Sequence, residues 1–199
     1  MGRIFYIMGK SSSGKDTIFE ELKNRQDLNL HQIILYTTRP IRAKETDGVE
    51  YHFTDEAGLA HWIAQGKVIE LREYHTVHGI WKYFTVDDDQ IRLDSGNYLA
   101  IGVPESYQKV RAYFGTEKVV PIYIEVEDGV RLERAMKRER KQAVPSYEEM
   151  CRRFLADQAD FSEENLQKAG ITKRFANNGN RLECMAEVAD YISGFMGES

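Results

Sequence analysis

The sequence predicts an α/β fold in which a parallel β-sheet is flanked by helices. The run "RIFYIMG" at 3–9 is continuously apolar, as is typical of a strand buried on both faces of a parallel sheet. Apolar runs of this kind then alternate with segments of helical periodicity. The chain of 199 residues is long enough to bury a full core, so we expect a single domain over 1–199.

The other strands and helices are predicted from hydrophobic periodicity and from residues that commonly mark the ends of helices. Pro104 at a first helical position and Gly115 past the end bracket one helix, and Ser146 with Glu149 has capping-box spacing at the start of another. Further strands are predicted at 32–36, 67–74, 98–103, 119–126 and about 174–176. Helices are predicted from about 16, at 54–66, 104–115 and about 128–141, from 146 toward 170, and over 182–196. The last helix is predicted to line one face with Leu182, Met185, Ala189 and Ile192.

The composition narrows the class of protein. A net charge of −5, with 42% hydrophobic and 30% charged residues, is typical of a soluble globular protein and argues against a general nucleic-acid or anionic-membrane binder. Cys151 and Cys184 lack metal-ligand spacing, so we expect two reduced cysteines in a cytosolic core. The N-terminal apolar run is too short for a signal peptide or a membrane span, which predicts a cytoplasmic protein.

The stretch "GKSSSGKDT" resembles a phosphate-binding loop between the first strand and the first helix. Consecutive backbone N–H groups in such a turn, together with the helix N-terminus, bind the phosphates of a nucleoside triphosphate. The alternative, an ordinary strand–helix turn, explains the spacing of Gly9, Gly14 and Lys15 less well. The candidate phosphate-binding residues are Gly9, Lys10, Ser11, Ser12, Ser13, Gly14, Lys15, Asp16 and Thr17.

Asp16 departs from the usual loop pattern, which has Ser or Thr directly after the lysine. Here the hydroxyl comes one residue later, at Thr17. A carboxylate beside phosphates either faces Mg²⁺, directly or through water, or complements the helix dipole. We therefore treat Asp16 and Thr17 as candidate metal ligands and leave both roles of Asp16 open.

A second anion site is indicated by "YTTRPIRAKETDGVEYHF" at 36–53. Arg39 and Arg42 offer planar forked donors suited to a phosphate, and Tyr51 adds a neutral donor. The alternative is that two arginines near a turn are solvated surface. The segment from about 36 to 95 is less regular than the rest, so we expect it to form a small separate lobe.

The combination of these motifs resembles the guanylate kinase family. The phosphate loop is followed by "TTRPIR", by "DGVEYHF" and by "VIEL", in the family's order and over essentially the whole chain. The resemblance implies a P-loop NTPase-type parallel sheet flanked by helices, with a core at 1–35 and 96–199. It also implies an inserted acceptor-binding lobe at about 36–95 and a helical lid at about 128–153. The implied reaction transfers the γ-phosphoryl group of ATP to GMP with Mg²⁺, in a monomer or homodimer without nucleic-acid or membrane partners.

The resemblance also assigns residues to the two substrates. The phosphate loop binds ATP, with Asn177 near the adenine, and Glu70 accepts hydrogen bonds from the guanine ring nitrogen and amine. The alternative for Glu70 is a solvent-facing strand residue, and the alternative for the aromatic cluster around Tyr83 is packing. The implied GMP-binding residues are Arg39, Arg42, Tyr51, Glu70, Tyr83 and Thr85, with Lys82 as a further candidate.

Lid arginines complete the implied catalytic set. The segment "RLERAMKRERK" places Arg131, Arg134 and Arg138 on one helix face, and Arg153 precedes an apolar residue as in the family. The alternative is a solvated basic face. The implied catalytic residues are Lys15, Arg39, Arg134, Arg138 and Arg153.

Three departures from the family keep other functions open. Ala100 and Gly102 stand where the family has carboxylates, and Leu35 stands with Tyr36 where it has a base-touching serine. Asp16 is a candidate to supply, at the metal site, a carboxylate in place of those missing at 100 and 102. One alternative function is a different small-molecule kinase, acting on ribose 1,5-bisphosphate or a deoxynucleotide. The other is a non-catalytic guanylate-kinase-like module that binds a phosphorylated or acidic partner.

Overall fold

The computed structural model describes residues 2–76 and 79–196, which form nine strands and seven α-helices. The strands are β1 (Ile4–Met8), β2 (Leu30–Gln32), β3 (Tyr36–Thr37), β4 (His52–Phe53), β5 (Val68–Thr76), β6 (Gly79–Val86), β7 (Asn97–Gly102), β8 (Val119–Glu125) and β9 (Arg174–Ala176). The helices are α1 (Lys15–Lys23), α2 (Glu56–Ala64), α3 (Pro104–Phe114), α4 (Asp128–Glu139), α5 (Tyr147–Asp160), α6 (Glu163–Lys168) and α7 (Arg181–Met196).

A parallel five-stranded sheet forms the core, in the order β2-β7-β1-β8-β9. Every residue of β1 is buried, as its continuous apolar run predicts. Phe5 and Ile7 pack against α1 and α7 on one face of the sheet. Ile4 and Tyr6 pack on the other face against α3 and α6. The predicted α/β class with helices on both faces is confirmed.

A second sheet lies within the segment that the sequence marks as irregular. Its four strands are ordered β4-β3-β6-β5, and the long β5–β6 pair is antiparallel with a register shift between Val68 and Glu70. Helix α2 begins at the Asp55 cap and buries Leu59 against Phe84 and Val86. This leaves the opposite face of β5 and β6 to carry polar side chains.

Two predicted elements are wrong in their bounds. The strand at 32–36 is interrupted over 33–35, where Ile34 donates its backbone N–H to the Gln90 side chain at 2.8 Å. The helix from 146 toward 170 is two helices, because α5 ends at Asp160 and Phe161 turns into the core. Ser162 then caps α6 through the backbone N–H of Asn165.

Three further predictions need correction. Ser146 makes no side-chain cap for α5, since Glu149 pairs with Arg152 instead. On α7 the side chain of Leu182 is exposed, and Cys184 and Val188 take the buried positions together with Ala189 and Ile192. Both cysteines are free, but Cys151 is exposed and therefore does not belong to the core. Within the described residues, no helix is long and apolar enough to cross a membrane.

Candidate functional site

The phosphate-loop motif lies at the carboxyl end of the central strand β1 and leads directly into α1. Backbone bonds tighten the turn, from Ser13 N–H to the Lys10 carbonyl and from Thr17 N–H to the Gly14 carbonyl, each at 3.1 Å. Ser12 has a left-handed φ of 64°, and its buried hydroxyl has no hydrogen-bond partner among the described residues. An anion at the start of α1 could satisfy that hydroxyl.

Asn177, directly after β9, is hydrogen-bonded to this loop. Its side-chain amide donates to the Ser13 carbonyl at 2.8 Å, and the residue is buried. Gly14 has a φ of 87°, and a Cβ placed on it would lie 2.6 Å from the Asn177 amide nitrogen. Asn177 is thus a support for the loop itself. Its predicted contact with adenine stays a prediction.

Replacing Gly14 by alanine should destabilise the protein and weaken ATP binding. The left-handed backbone alone costs about 1–2 kcal/mol for a residue with a Cβ, and the added methyl also displaces Asn177. Chemical denaturation and ATP titration measure the two effects. The matched control is Gly194→Ala in α7, where no atom lies within 4 Å of the added Cβ and stability should rise slightly. Equal stability of Gly14→Ala and wild type would contradict the prediction.

Lys15 and Asp16 start α1 side by side, with 3.2 Å between the Lys15 ammonium and the Asp16 carboxylate. The Asp16 and Thr17 side chains are exposed. Burial raises the pKa of Tyr51, and the Asp16 carboxylate adds a smaller contribution in the same direction.

The metal prediction rests on Asp16 and Thr17. Across residues 2–76 and 79–196, no group of three or more His, Cys, Asp or Glu side chains is arranged to hold a metal ion. Mg²⁺ in nucleotide sites commonly takes one or two carboxylates together with phosphate oxygens. The exposed Asp16 carboxylate at the mouth of the loop suits that type of site.

The helices of the predicted lid contact the loop through charged side chains. Arg131 on α4 is buried, and it donates to the Ser11 carbonyl at 3.1 Å and to the Asp157 carboxylate at 3.3 Å. Asp157 on α5 also accepts from the Ser11 backbone N–H at 2.7 Å. Lys10 donates to Gln158 and pairs with Asp128 at 3.5 Å. Lys10 and Ser11 are thus bonded to the lid.

The three predicted lid arginines are placed differently from one another. Arg134 donates to the Asn177 carbonyl at 2.8 Å, beside the phosphate loop. Arg138 and Arg153 are exposed. The structure therefore brings one of the three to the loop, together with Arg131, which the sequence did not single out as catalytic.

Arg39 is the central residue of the second site. Its guanidinium is 3% exposed and makes a two-pronged pair with Glu45, with both N–O distances at 2.8 Å. Its Nε donates to the Tyr83 hydroxyl at 3.1 Å, and its charge lies 5.3 Å from the centre of the Tyr51 ring. Arg39, Tyr51 and Tyr83 are brought together as predicted. The exposed Arg42 offers only its backbone N–H to Glu45.

Glu70 lies at the other end of this polar face. Glu70 is buried on β5, and its carboxylate accepts from the Thr85 hydroxyl on β6 at 2.9 Å. Arg72 donates to the same carboxylate through Nε at 3.0 Å and Nη2 at 3.2 Å. The alternative of a solvent-facing Glu70 is therefore wrong. Lys82 instead pairs with Glu56, outside this cluster.

Comparison with known proteins decides the family. A family model described as guanylate kinase matches residues 1–164. The chain belongs to the guanylate kinase family. Guanylate kinases from Mycobacterium bovis and Thermobifida fusca are 40% and 38% identical to it over 75 and 72 residues. These segments cover 38% and 36% of this chain and 36% of each relative, so the chain matches about a third of the length of these curated relatives.

A solved structure supports the fold over a greater length. The guanylate kinase from Anaplasma phagocytophilum superposes with a TM-score of 0.61, covering 97% of this chain and 85% of its own, at 19% identity. At that identity the likeness establishes the shared P-loop NTPase fold. The likeness covers the whole arrangement of sheet and helices.

One departure from the usual guanylate kinase sequence has a steric explanation. A Cβ on Gly102 would lie 2.4 Å from the Tyr6 hydroxyl and 2.6 Å from the Ser106 hydroxyl. Those two hydroxyls are hydrogen-bonded to each other at 2.8 Å. Tyr6 and Ser106 thus occupy the space next to Gly102, and a side chain at 102 would require at least one of them to move.

Several residues around this candidate site are absent from the sequence predictions. They are Tyr6, Glu45, Arg72 and Asp157, and all but Arg72 act through a partner distant in sequence or on a loop. Arg72 alone carried a usable signal, because alternate residues of a strand share a face and Glu70 was already a candidate. The others could be found only from the fold.

Proposed function

We propose that this chain transfers the γ-phosphoryl group of ATP to GMP, giving ADP and GDP. The observation that carries the proposal is the pairing of two sites. A phosphate loop leads into α1, and a polar cluster at the second sheet contains Arg39, Tyr51 and Glu70.

The chemistry requires positioning and charge neutralisation. An oxygen of the GMP phosphate attacks the γ-phosphorus of ATP, and the bond from that phosphorus to the β–γ bridging oxygen breaks, leaving ADP. The acceptor is already anionic, so no general base is required. Lys15 and the loop N–H groups stabilise charge on the donor phosphates, and Arg134 adds a cation at the same loop.

The acceptor site orients GMP by its two ends. Arg39 and Tyr51 bind its phosphate, with Arg42 able to join from the adjacent loop. Glu70, held by Thr85, accepts from the N1–H and the amine of guanine. When bound, Mg²⁺ would neutralise charge on the donor phosphates, and Asp16 is the residue best placed to hold it, with Thr17 beside it.

Turnover with a panel of acceptors tests this function. Product chromatography would follow ATP with GMP, AMP, UMP, CMP or ribose 1,5-bisphosphate, and we expect GDP and ADP from GMP. Turnover with another acceptor alone would leave the donor site intact and overturn the GMP assignment. GMP binding without any turnover, and without measurable ATP binding, would favour a non-catalytic binding module.

Substituting Asp16 tests the metal proposal. Asp16→Ala should raise the Mg²⁺ concentration needed for half-maximal activity by about tenfold, because one charged ligand contributes a few kcal/mol at most in so exposed a site. The measurement is an Mg²⁺ titration of initial rate at saturating ATP. Glu20→Ala, on the exposed side of the same helix, is the control. An unchanged Mg²⁺ dependence in Asp16→Ala would leave Asp16 with only a helix-dipole role.

A further inference from the structure

We infer that Arg72 is a specificity-determining residue of the acceptor site, which donates a hydrogen bond to the O6 carbonyl of guanine beside Glu70. This inference rests on the proposed transfer to GMP. It adds a second residue that recognises the base. Arg72 contacts O6, which is the acceptor group of the guanine edge and which the Glu70 carboxylate cannot bind.

The position of Arg72 supports this role. Glu70 and Arg72 are alternate residues of β5, so their side chains extend from the same face of the sheet. Their partners across the strand pair are Thr85 and Tyr83, and Tyr83 in turn accepts from Arg39. Arg72 therefore belongs to the same polar face as the proposed phosphate-binding residues.

The Glu70–Arg72 pair is buried and charged. The side chains of Glu70 and Arg72 are 0% and 9% exposed. Burial by itself lowers the pKa of Arg72, but the Glu70 carboxylate, together with Tyr6 and Tyr74, raises it by more, so the pKa lies above its usual value. The guanidinium therefore stays protonated and remains a donor throughout the physiological pH range.

The geometry of the pair leaves groups for a ligand. The bonds to Glu70 use Nε and Nη2, so Nη1 of the planar guanidinium lies outside that fork, and the Tyr74 hydroxyl is a further hydrogen-bond partner of the same guanidinium. Each carboxylate oxygen has two lone pairs, so Glu70 keeps acceptor capacity beyond its bonds to Arg72 and Thr85. The pair thus places carboxylate acceptors next to a guanidinium donor, and because both side chains are buried, guanine contacts them only when the residues that cover them move.

A carboxylate acceptor followed by a guanidinium donor is complementary to the edge of guanine. The guanine edge carries the amine and N1–H as donors, followed by O6 as an acceptor. Adenine carries its amine at the position of O6 and an acceptor at N1, so it would place a donor against Arg72. An arginine that donates to O6 is a common means of recognising guanine elsewhere.

A purely structural role explains Arg72 less well. Thr85 already anchors one oxygen of Glu70, and β5 fixes the direction of the side chain. Replacing a buried ion pair with apolar side chains is often neutral or stabilising, so such a pair is weak evidence for a role in stability. A charged pair kept next to a nucleotide site is better explained by recognition.

The test compares Arg72→Met and Arg72→Lys with wild type on three acceptors. GMP has the amine, the N1–H and O6, and IMP lacks only the amine. The 2-aminopurine riboside 5′-monophosphate keeps the amine but lacks both O6 and the N1–H. Both variants should lose kcat/KM with GMP and IMP by about tenfold to a hundredfold, and change little with the 2-aminopurine acceptor. Arg72→Lys keeps a charge beside Glu70, so it tests the inference even if Arg72→Met folds poorly.

The matched control is Arg25→Met. Arg25 also pairs with an acid two residues away, Asp27, but on the surface next to α1, and this variant should match wild type with all three acceptors. Two results would show that Arg72 only supports Glu70. One is an equal loss of kcat/KM with all three acceptors in the Arg72 variants, and the other is a fall only in the ratio of kcat/KM for GMP to kcat/KM for IMP. If wild type itself does not use GMP, the proposed function fails and the inference fails with it.

Discussion

Replacing Lys15 by methionine should lower kcat by about 10²–10³-fold, with a smaller effect on the KM for GMP. Lys15 is the first residue of α1 and the lysine of the loop motif that directly precedes Asp16, and methionine keeps most of its length without its charge. The lysine stabilises negative charge that develops on the transferred phosphoryl group, so its loss acts mainly on the chemical step. Steady-state rates at saturating GMP and varied ATP measure the effect.

The control for Lys15 lies on the same helix. Lys23→Met removes a lysine from the last turn of α1, where it pairs with Glu20 at 2.6 Å. That variant should keep wild-type kinetics. A kcat for Lys15→Met within threefold of wild type would contradict the assignment of the donor site.

Replacing Arg39 by lysine should lower kcat/KM for GMP by about tenfold to a hundredfold and leave the KM for ATP nearly unchanged. Lysine keeps the charge but cannot reproduce the fork that now binds Glu45 at two points. In the proposed complex the same fork binds the GMP phosphate. Initial rates over a range of GMP and ATP concentrations separate the two effects.

Two measurements distinguish a lost phosphate contact at Arg39 from misfolding and from a general effect of replacing arginine by lysine. Arg181→Lys changes an exposed arginine that pairs with Glu21 at 2.9 Å, and it should leave both substrates unaffected. Thermal denaturation of Arg39→Lys shows whether the variant is folded, because Arg39 is buried. A folded Arg39→Lys with unchanged kcat/KM for GMP would remove Arg39 from the acceptor site.

The fold was predictable from the sequence where local signals agree. The apolar run of β1 and the proline and glycine that bracket α3 both act within a few residues. The break between α5 and α6 was not predictable in this way. It depends on Phe161, which leaves the helix to pack against Tyr123 with ring centroids 5.7 Å apart.

In the candidate site too, residues with local sequence signals were predictable and residues with distant partners were not. Glu70, Arg39 and Lys15 carry motif signals, because their spacing from neighbouring residues is read directly from the chain. Tyr6 lies far from Gly102 and Ser106 in sequence, so the steric reason for the missing carboxylate appears only in the folded sheet. The same applies to Glu45, whose pairing with Arg39 depends on the path of the loop after β3.

The central claim is that this guanylate kinase family member selects GMP through the Glu70 face of its second sheet. The most direct measurement is the ratio of kcat/KM for GMP to that for AMP in wild type and in Glu70→Gln. We predict a wild-type ratio of about 10⁴, as expected when a site is built to hydrogen-bond its substrate, and a fall of at least tenfold in the variant. A wild-type ratio near one, or a high ratio that Glu70→Gln leaves unchanged, would contradict the account.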